Sequence, residues 1–186
     1  KDQSGEWLYP DEVEKIDQET FLKKKDKSKV TVGPPESMSK SKKNTVDPEK
    51  MIIQFGADAV RLFMLSDSPP EKDVQWSEQG MLASYKFLQK LFVLHEKIKK
   101  ISKQEEINAL DDLSKYINQY LVKIERNLSN FQYNVIIANI HEANSFFSEI
   151  IKKEKNFSNL INDYIKFLIS ISPVIPHFSN ECLSQL

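Results

Sequence analysis

The chain has 186 residues and a mass of 21.6 kDa, enough to bury a core without covalent help, as one large domain or two small ones. Its 26 Lys and Arg against 27 Asp and Glu leave a net charge of −1, which excludes nucleic-acid binding by bulk positive charge and leaves that case to local clusters. The single cysteine, Cys182, excludes an internal disulfide and fits a reducing compartment. No run of 18 apolar residues occurs, and the acidic first twenty residues lack the apolar stretch of a secretion signal, so a soluble, cytoplasmic protein is expected.

The opening residues, beginning at Lys1 rather than at methionine and without a cap or turn that starts a fold, read as the edge of something longer. The lysine-rich tract KKKDKSK at 23–29 reads as a solvated charge run. The β-type run KVTVG predicts one strand at about 29–32, with mostly irregular structure before it. After the loop at 33–46, the letters TVDPEKMIIQFG carry both ends of a helix: Asp47 as N-cap, Pro48 at the first helical position and Gly56 just past the last turn. ADAVRLFMLSDS predicts a second helix with an apolar stripe of Ala59, Val60, Leu62 and Phe63, broken by Pro69 and Pro70. On it, Asp58 and Arg61 stand three residues apart, a spacing that suits a structural ion pair.

From Ser77 the pattern is helical for more than a hundred residues. Met81, Tyr85, Leu88, Phe92 and His95 predict one face. Leu113, Ile117, Tyr120, Ile124 and Leu128 predict a second, and Ile136, Ile140, Ala143, Phe147 and Ile150 a third. Connections at about 102–110, 130–134 and 153–158 are short enough to make successive helices antiparallel neighbours. LINDYIKFLISIS adds a helix that ends before Pro173, and Pro176 opens one more. Cys182 reads as a small apolar filler on that last helix, and Trp7 and Trp76 as packing residues beside turns.

The segment SMSKSKK at 37–43 stands apart from this pattern. Residues 20–50 hold nine lysines against four acids, a surplus of five in a chain that is otherwise acidic. Lysines at positions 40, 42 and 43 cannot be desolvated together, so the loop must face water or an anion. Interleaved serines add donors, and the helix N-terminus at 47–48 follows directly, an arrangement suited to polyphosphate. Met38 reads as a packing anchor for the loop, seated in an apolar notch.

SMSKSKKNTVDP at 37–48 resembles the KMSKS signature of class I aminoacyl-tRNA synthetases, and IIQFGADAVRLFMLSDSPPEKDVQWSEQG at 52–80 is similar to the segment that follows it in bacterial-type leucyl-tRNA synthetases. FQYNVIIANIHEANSFF and SPVIPHFSNECL are similar to stretches of the helical anticodon-binding domain of that family. The fold this implies is mainly α: an antiparallel helical bundle of the anticodon-binding type, preceded by a small irregular, β-containing remnant of a Rossmann catalytic core. The division implied is 1–36 for the end of the catalytic core, 37–76 for the signature loop and connecting helices, and 77–186 for the bundle.

The same resemblance implies ATP-dependent activation of leucine and its transfer to tRNA(Leu). It assigns ATP binding to Ser37, Met38, Ser39, Lys40 and Ser41, with Lys40 as the catalytic lysine and Mg²⁺ accompanying the nucleotide. The first lysine of the signature is Ser37 here, so Lys42 and Lys43 become auxiliary phosphate contacts to test. Lys97, Lys99, Lys100, Lys152 and Lys153, near helix ends, are candidate tRNA contacts or simply solvated caps. His95, His141 and His177 read as structural or surface histidines. With one cysteine they build no zinc tetrad. The family's HIGH motif has no counterpart in the chain, so the resemblance implies a fragment that works with an N-terminal catalytic half, in the same or a separate chain, and makes no leucyl-adenylate alone. The alternatives are a non-catalytic tRNA-binding module and a synthetase for isoleucine or valine.

Overall fold

The computed structural model describes every residue except 18, 67, 68, 70, 105, 106, 109, 110 and 153–155. Pro70 and Lys153 therefore lie outside the described residues. The chain divides into two compact units, Lys1–Glu49 and Lys50–Leu186.

In the first unit, β1 (Val13–Lys15) and β2 (Phe21–Lys23) form an antiparallel pair with Val13 opposite Lys23 and Lys15 opposite Phe21. The reversal between them is held by Asp17, whose carboxylate accepts from the amides of Glu19 at 2.9 Å and Thr20 at 2.7 Å, the local side-chain turn that aspartate favours. This hairpin corrects the expectation of irregular structure before residue 29. The strand expected at 29–32 is reduced to one bridge, Lys29 against Leu22, with the Val30 amide donating to the Phe21 carbonyl at 2.9 Å. Val30 is buried against the hairpin while Val32 is exposed. A strand needs a partner as well as β-branched letters, and here the pairing edge is used up after one residue.

Helix α1 (Pro48–Phe55) starts and stops where its caps direct. The Asp47 carboxylate accepts from the Glu49 amide at 3.0 Å, and Gly56 leaves the helix at φ +83°, its amide donating to the Ile52 carbonyl. The second unit continues with α2 (Ala57–Ser66), α3 (Glu78–Ile101), α4 (Asp111–Ser129), α5 (Tyr133–Ile151), α6 (Leu160–Ile171) and α7 (Pro176–Ser184). Ser77 caps α3 by accepting from the Gly80 amide at 3.1 Å. That cap needs only a backbone amide, but the packing needs glycine at 80: a Cβ there would stand 2.8 Å from the Phe63 ring, which is itself packed edge-on against Trp76.

The expected faces of α4 and α5 are the observed ones, with Leu113, Ile117, Ile136, Ile140, Ala143 and Phe147 fully enclosed. Helix α3 carries two stripes. Met81, Tyr85 and Leu88 meet α2 and Trp76 in a small cluster, whereas Phe87, Leu91, Leu94, Ile98 and Ile101 enter the main core, and Phe92 is left exposed. Helix packing departs from simple chain order. The short links before α5 and α7 produce direct neighbours, α4 on α5 and α6 on α7, but α3 packs on α2 and α5, and α4 packs on α6. The longer links have room to cross the bundle, and within them Ile107–Asn108 and Asn156–Phe157 pair as a two-residue parallel ladder, β3 with β4. Among the described residues no helix is long and apolar enough to cross a membrane.

Arg61 and Asp58 do not pair with each other, which corrects the i,i+3 expectation. The Asp58 carboxylate accepts from the amides of His177 and Phe178 and lies 2.9 Å from His177 Nδ1. Arg61 donates to the carbonyls of Pro173 at 2.7 Å and Val174 at 2.9 Å. Unsatisfied amides at a helix start and carbonyls at a helix end outcompete a neighbour that water would otherwise serve.

His95 is enclosed completely. Its Nε2 shares the Gln185 Oε1 at 3.3 Å with the Lys99 ammonium at 2.7 Å, and its Nδ1 is buried without a partner. Burial holds its imidazole below the ordinary histidine value, helped by the positive charge of Lys99. The native state therefore holds His95 neutral to lower pH than the unfolded chain, which takes up a proton as pH falls through about 6.5. This contribution to stability is complete above that pH and is lost progressively below it. The urea midpoint is expected to fall between pH 7.5 and 5.5, and to fall less in His95→Gln; equal pH dependence in both proteins would remove His95 as the cause.

Candidate functional site

The signature loop lies wholly in the first unit and is built from its own side chains. Ser39, in extended conformation at φ −150° and ψ 137°, precedes a single 3-10 turn over Lys40–Lys42, whose closing amides of Lys42 and Lys43 donate to the carbonyls of Ser39 and Lys40. Asn44 closes the loop behind the turn. Its Oδ1 accepts from the Ser39 amide at 2.7 Å, and its Nδ2 donates to the Ser37 carbonyl at 3.3 Å. The Ser39 and Ser41 hydroxyls lie 2.8 Å apart on the same turn.

The three lysines have different surroundings. Lys42 pairs with Glu36 and stands 6.0 Å from the Trp7 ring centre. Lys43, at φ +51° in the left-handed region, pairs with Glu6 at 3.2 Å and stands 5.4 Å from the Tyr9 ring centre. Lys40, the first residue of the turn, is exposed, and its ammonium has no carboxylate within ion-pair distance among the described residues. Met38 is 49% exposed rather than seated in an apolar notch, so its hold on the loop is not made within this unit; Asn44 makes the closure instead. Ser37 and Ser41 are exposed as well.

The helix-end lysines also differ in their surroundings. Lys97 and Lys100 are exposed on α3, Lys99 is engaged with Glu96 at 2.6 Å and with Gln185, and Lys152 pairs with Glu149 at 2.7 Å. Lys153 lies outside the described residues. Cys182 is fully enclosed and burial pushes its thiol up to about 12, the condition of an inert filler. His141 stacks on Phe87 with ring centres 3.6 Å apart, and the exposed His177 ring lies against Asp58.

The pattern of this loop and the helices after it is shared with known proteins. Residues 28–77 match the family model of the tRNA synthetases class I (I, L, M and V). Over its whole length the chain is similar to one stretch of leucine–tRNA ligases. It is 40% identical over 187 residues to that of Rickettsia bellii (strain RML369-C), covering 100% of this chain and 22% of the relative. It is 36% identical over 197 residues to that of Bartonella henselae, covering 97% and 22%. The chain thus spans about a fifth of the length of the curated relatives it matches. Its fold is similar to that of part of a solved structure, the ternary complex of Agrobacterium radiobacter K84 agnB2 LeuRS with tRNA and LeuAMS, at a TM-score of 0.68 and 21% identity, covering 80% of this chain and 20% of that one.

Proposed function

We propose that the chain is the signature-loop and helical-bundle part of a cytoplasmic leucine–tRNA ligase, working with an N-terminal catalytic half that supplies the adenine and leucine pockets. Leucine's carboxylate attacks the α-phosphorus of ATP; the bond from that phosphorus to the bridging oxygen breaks, and its electron pair leaves with pyrophosphate. Leucyl-adenylate results, and a terminal ribose hydroxyl of tRNA(Leu) then displaces AMP from the acyl carbon. Mg²⁺ bound to the nucleotide supplies part of the charge neutralisation on the triphosphate.

The residues that act from this chain are those of the 37–41 turn. Lys40 donates to the β- and γ-phosphate oxygens as negative charge grows on the leaving group, and the Ser39 and Ser41 hydroxyls add weaker donors. A donor whose interaction strengthens as charge develops lowers the barrier rather than merely binding substrate. One observation carries the reading: of the three lysines in the turn and directly after it, Lys40 alone is exposed and without an acidic partner among the described residues. An ammonium held at the start of a closed turn fits an incoming polyphosphate. Lys97 and Lys100 are the helix-end cations best placed to meet tRNA phosphates, since Lys99 and Lys152 have acidic partners on their own helices.

The test is ATP–pyrophosphate exchange by the complete enzyme that carries this chain. Exchange dependent on leucine is expected; exchange supported by isoleucine or valine and not by leucine overturns the substrate, and no exchange with any of them overturns the ligase reading.

A further inference from the structure

Resting on the phosphate role of Lys40, we propose that Lys42 and Lys43 are positioning residues: a two-point clamp on Glu36 and Trp7, and on Glu6 and Tyr9, fixes the limb of the turn behind Lys40 and leaves Lys40 as the one loop cation offered to a nucleotide. Three ammonium groups within four residues repel one another and would spread a short loop over many arrangements. The structure answers two of them with carboxylates from different parts of the unit, six and 37 residues away in sequence. Each paired lysine also lies near an aromatic ring, a second attraction that needs no acid.

Several observations on the loop agree with a clamp. Lys43 ends the turn in a left-handed backbone conformation, which a long side chain adopts uncommonly, and its ammonium is held there by Glu6 and lies near the Tyr9 ring. The pairs also register in the acid–base behaviour of their members. The hydrogen bond from Lys42 holds Glu36 below the usual glutamate range, and the hydrogen bond to Glu6 holds Lys43 above the usual lysine range. Because Asn44 ties the loop to Ser37 and Ser39 on its other side, movement of Lys43 would be passed to the Lys40 backbone through the amide–carbonyl bond of the turn.

The first measurement needs no catalysis. Amide hydrogen exchange at Ser39, Lys42 and Lys43, the three amides that close the turn, is compared by NMR in the 186-residue chain and in Glu6→Gln, Glu36→Gln and the double variant. Exposed pairs are weak singly, so exchange is expected to quicken about two- to five-fold for each pair lost, and Lys43→Arg is expected to keep the wild-type rate. Unchanged exchange in the double variant overturns the clamp, whatever the chain's activity.

In the complete enzyme, the double variant is expected to raise KM for ATP about two- to five-fold or more with a smaller change in kcat, since the phosphate donor is present but less often in place. Faster exchange with an unchanged KM for ATP overturns the positioning role. A Lys40→Ala enzyme that activates leucine normally would sink the ligase mechanism without touching the exchange result, so the two failures are told apart.

Discussion

Lys40→Ala in the complete enzyme is expected to slow leucine-dependent ATP–pyrophosphate exchange by about 10²–10³-fold, the scale for removing one donor aimed at developing charge. The expectation rests on a difference among neighbours. Lys42 and Lys43 carry the same charge two and three residues further on, so a bulk electrostatic role would make the three interchangeable. Their pairing with Glu36 and Glu6 says otherwise. Moving either to phosphate would first require breaking an ion pair and leaving its acid unpaired beside the triphosphate. Lys42→Ala is therefore expected to act through loop position and to cost far less than Lys40→Ala. The loss at Lys40 should fall mainly on kcat, because the leaving pyrophosphate is more negative at its outer oxygens than bound ATP is. A loss below tenfold, or a larger loss in Lys42→Ala, would move the catalytic role off Lys40.

The parts of this molecule that were legible in its sequence are those set by near neighbours along the chain. Asp47, Pro48 and Gly56 mark the ends of α1 because caps and breakers act within one turn. The faces of α4 and α5 follow from spacing because each helix buries a single stripe. The loop's solvated character was readable for the same reason, and its likeness to a known signature suggested the roles proposed for it. Contacts closed over long stretches of chain were not readable. Nothing beside Lys43 points to Glu6 or Tyr9, and nothing on α2 announces that Asp58 and Arg61 serve a helix junction more than a hundred residues away. On α3 two apolar stripes lie side by side, so periodicity alone divided the core face wrongly and left Phe92 inside. The hairpin at 13–23 was missed because three-residue strands with half-buried side chains carry too little alternation to register.

The junction of α6 and α7 is where the largest loss of stability from a single polar change is expected. Asp58 stands in for the absent side-chain cap of α7: its two carboxylate oxygens take the amides of the second and third helical residues, His177 and Phe178, the latter at 2.6 Å. Arg61, one turn along α2, holds the carbonyls of Pro173 and Val174. One short helix thus carries an anion for the start of α7 and a cation for the link before it, each matched to the backbone groups exposed there. Asp58→Ala leaves two amides at a largely buried site with no acceptor and is expected to cost about 2–3 kcal/mol, read as a lower urea midpoint at unchanged slope. Asp58→Asn keeps one acceptor oxygen, enough for the Phe178 amide, but turns an NH2 donor toward the His177 amide, and should cost less than Asp58→Ala, about 1–2 kcal/mol. Because Asp58 and Arg61 hold the same junction, the double variant should cost less than the two single changes together. The loss should also be local before it is global. Cys182 on α7 is fully enclosed, and its labelling by a thiol reagent should speed up in Asp58→Ala under conditions where the bundle stays folded. A midpoint within about 0.5 kcal/mol of wild type, with Cys182 as protected as before, would show that α7 is held by its apolar face alone and that the Asp58 cap adds nothing.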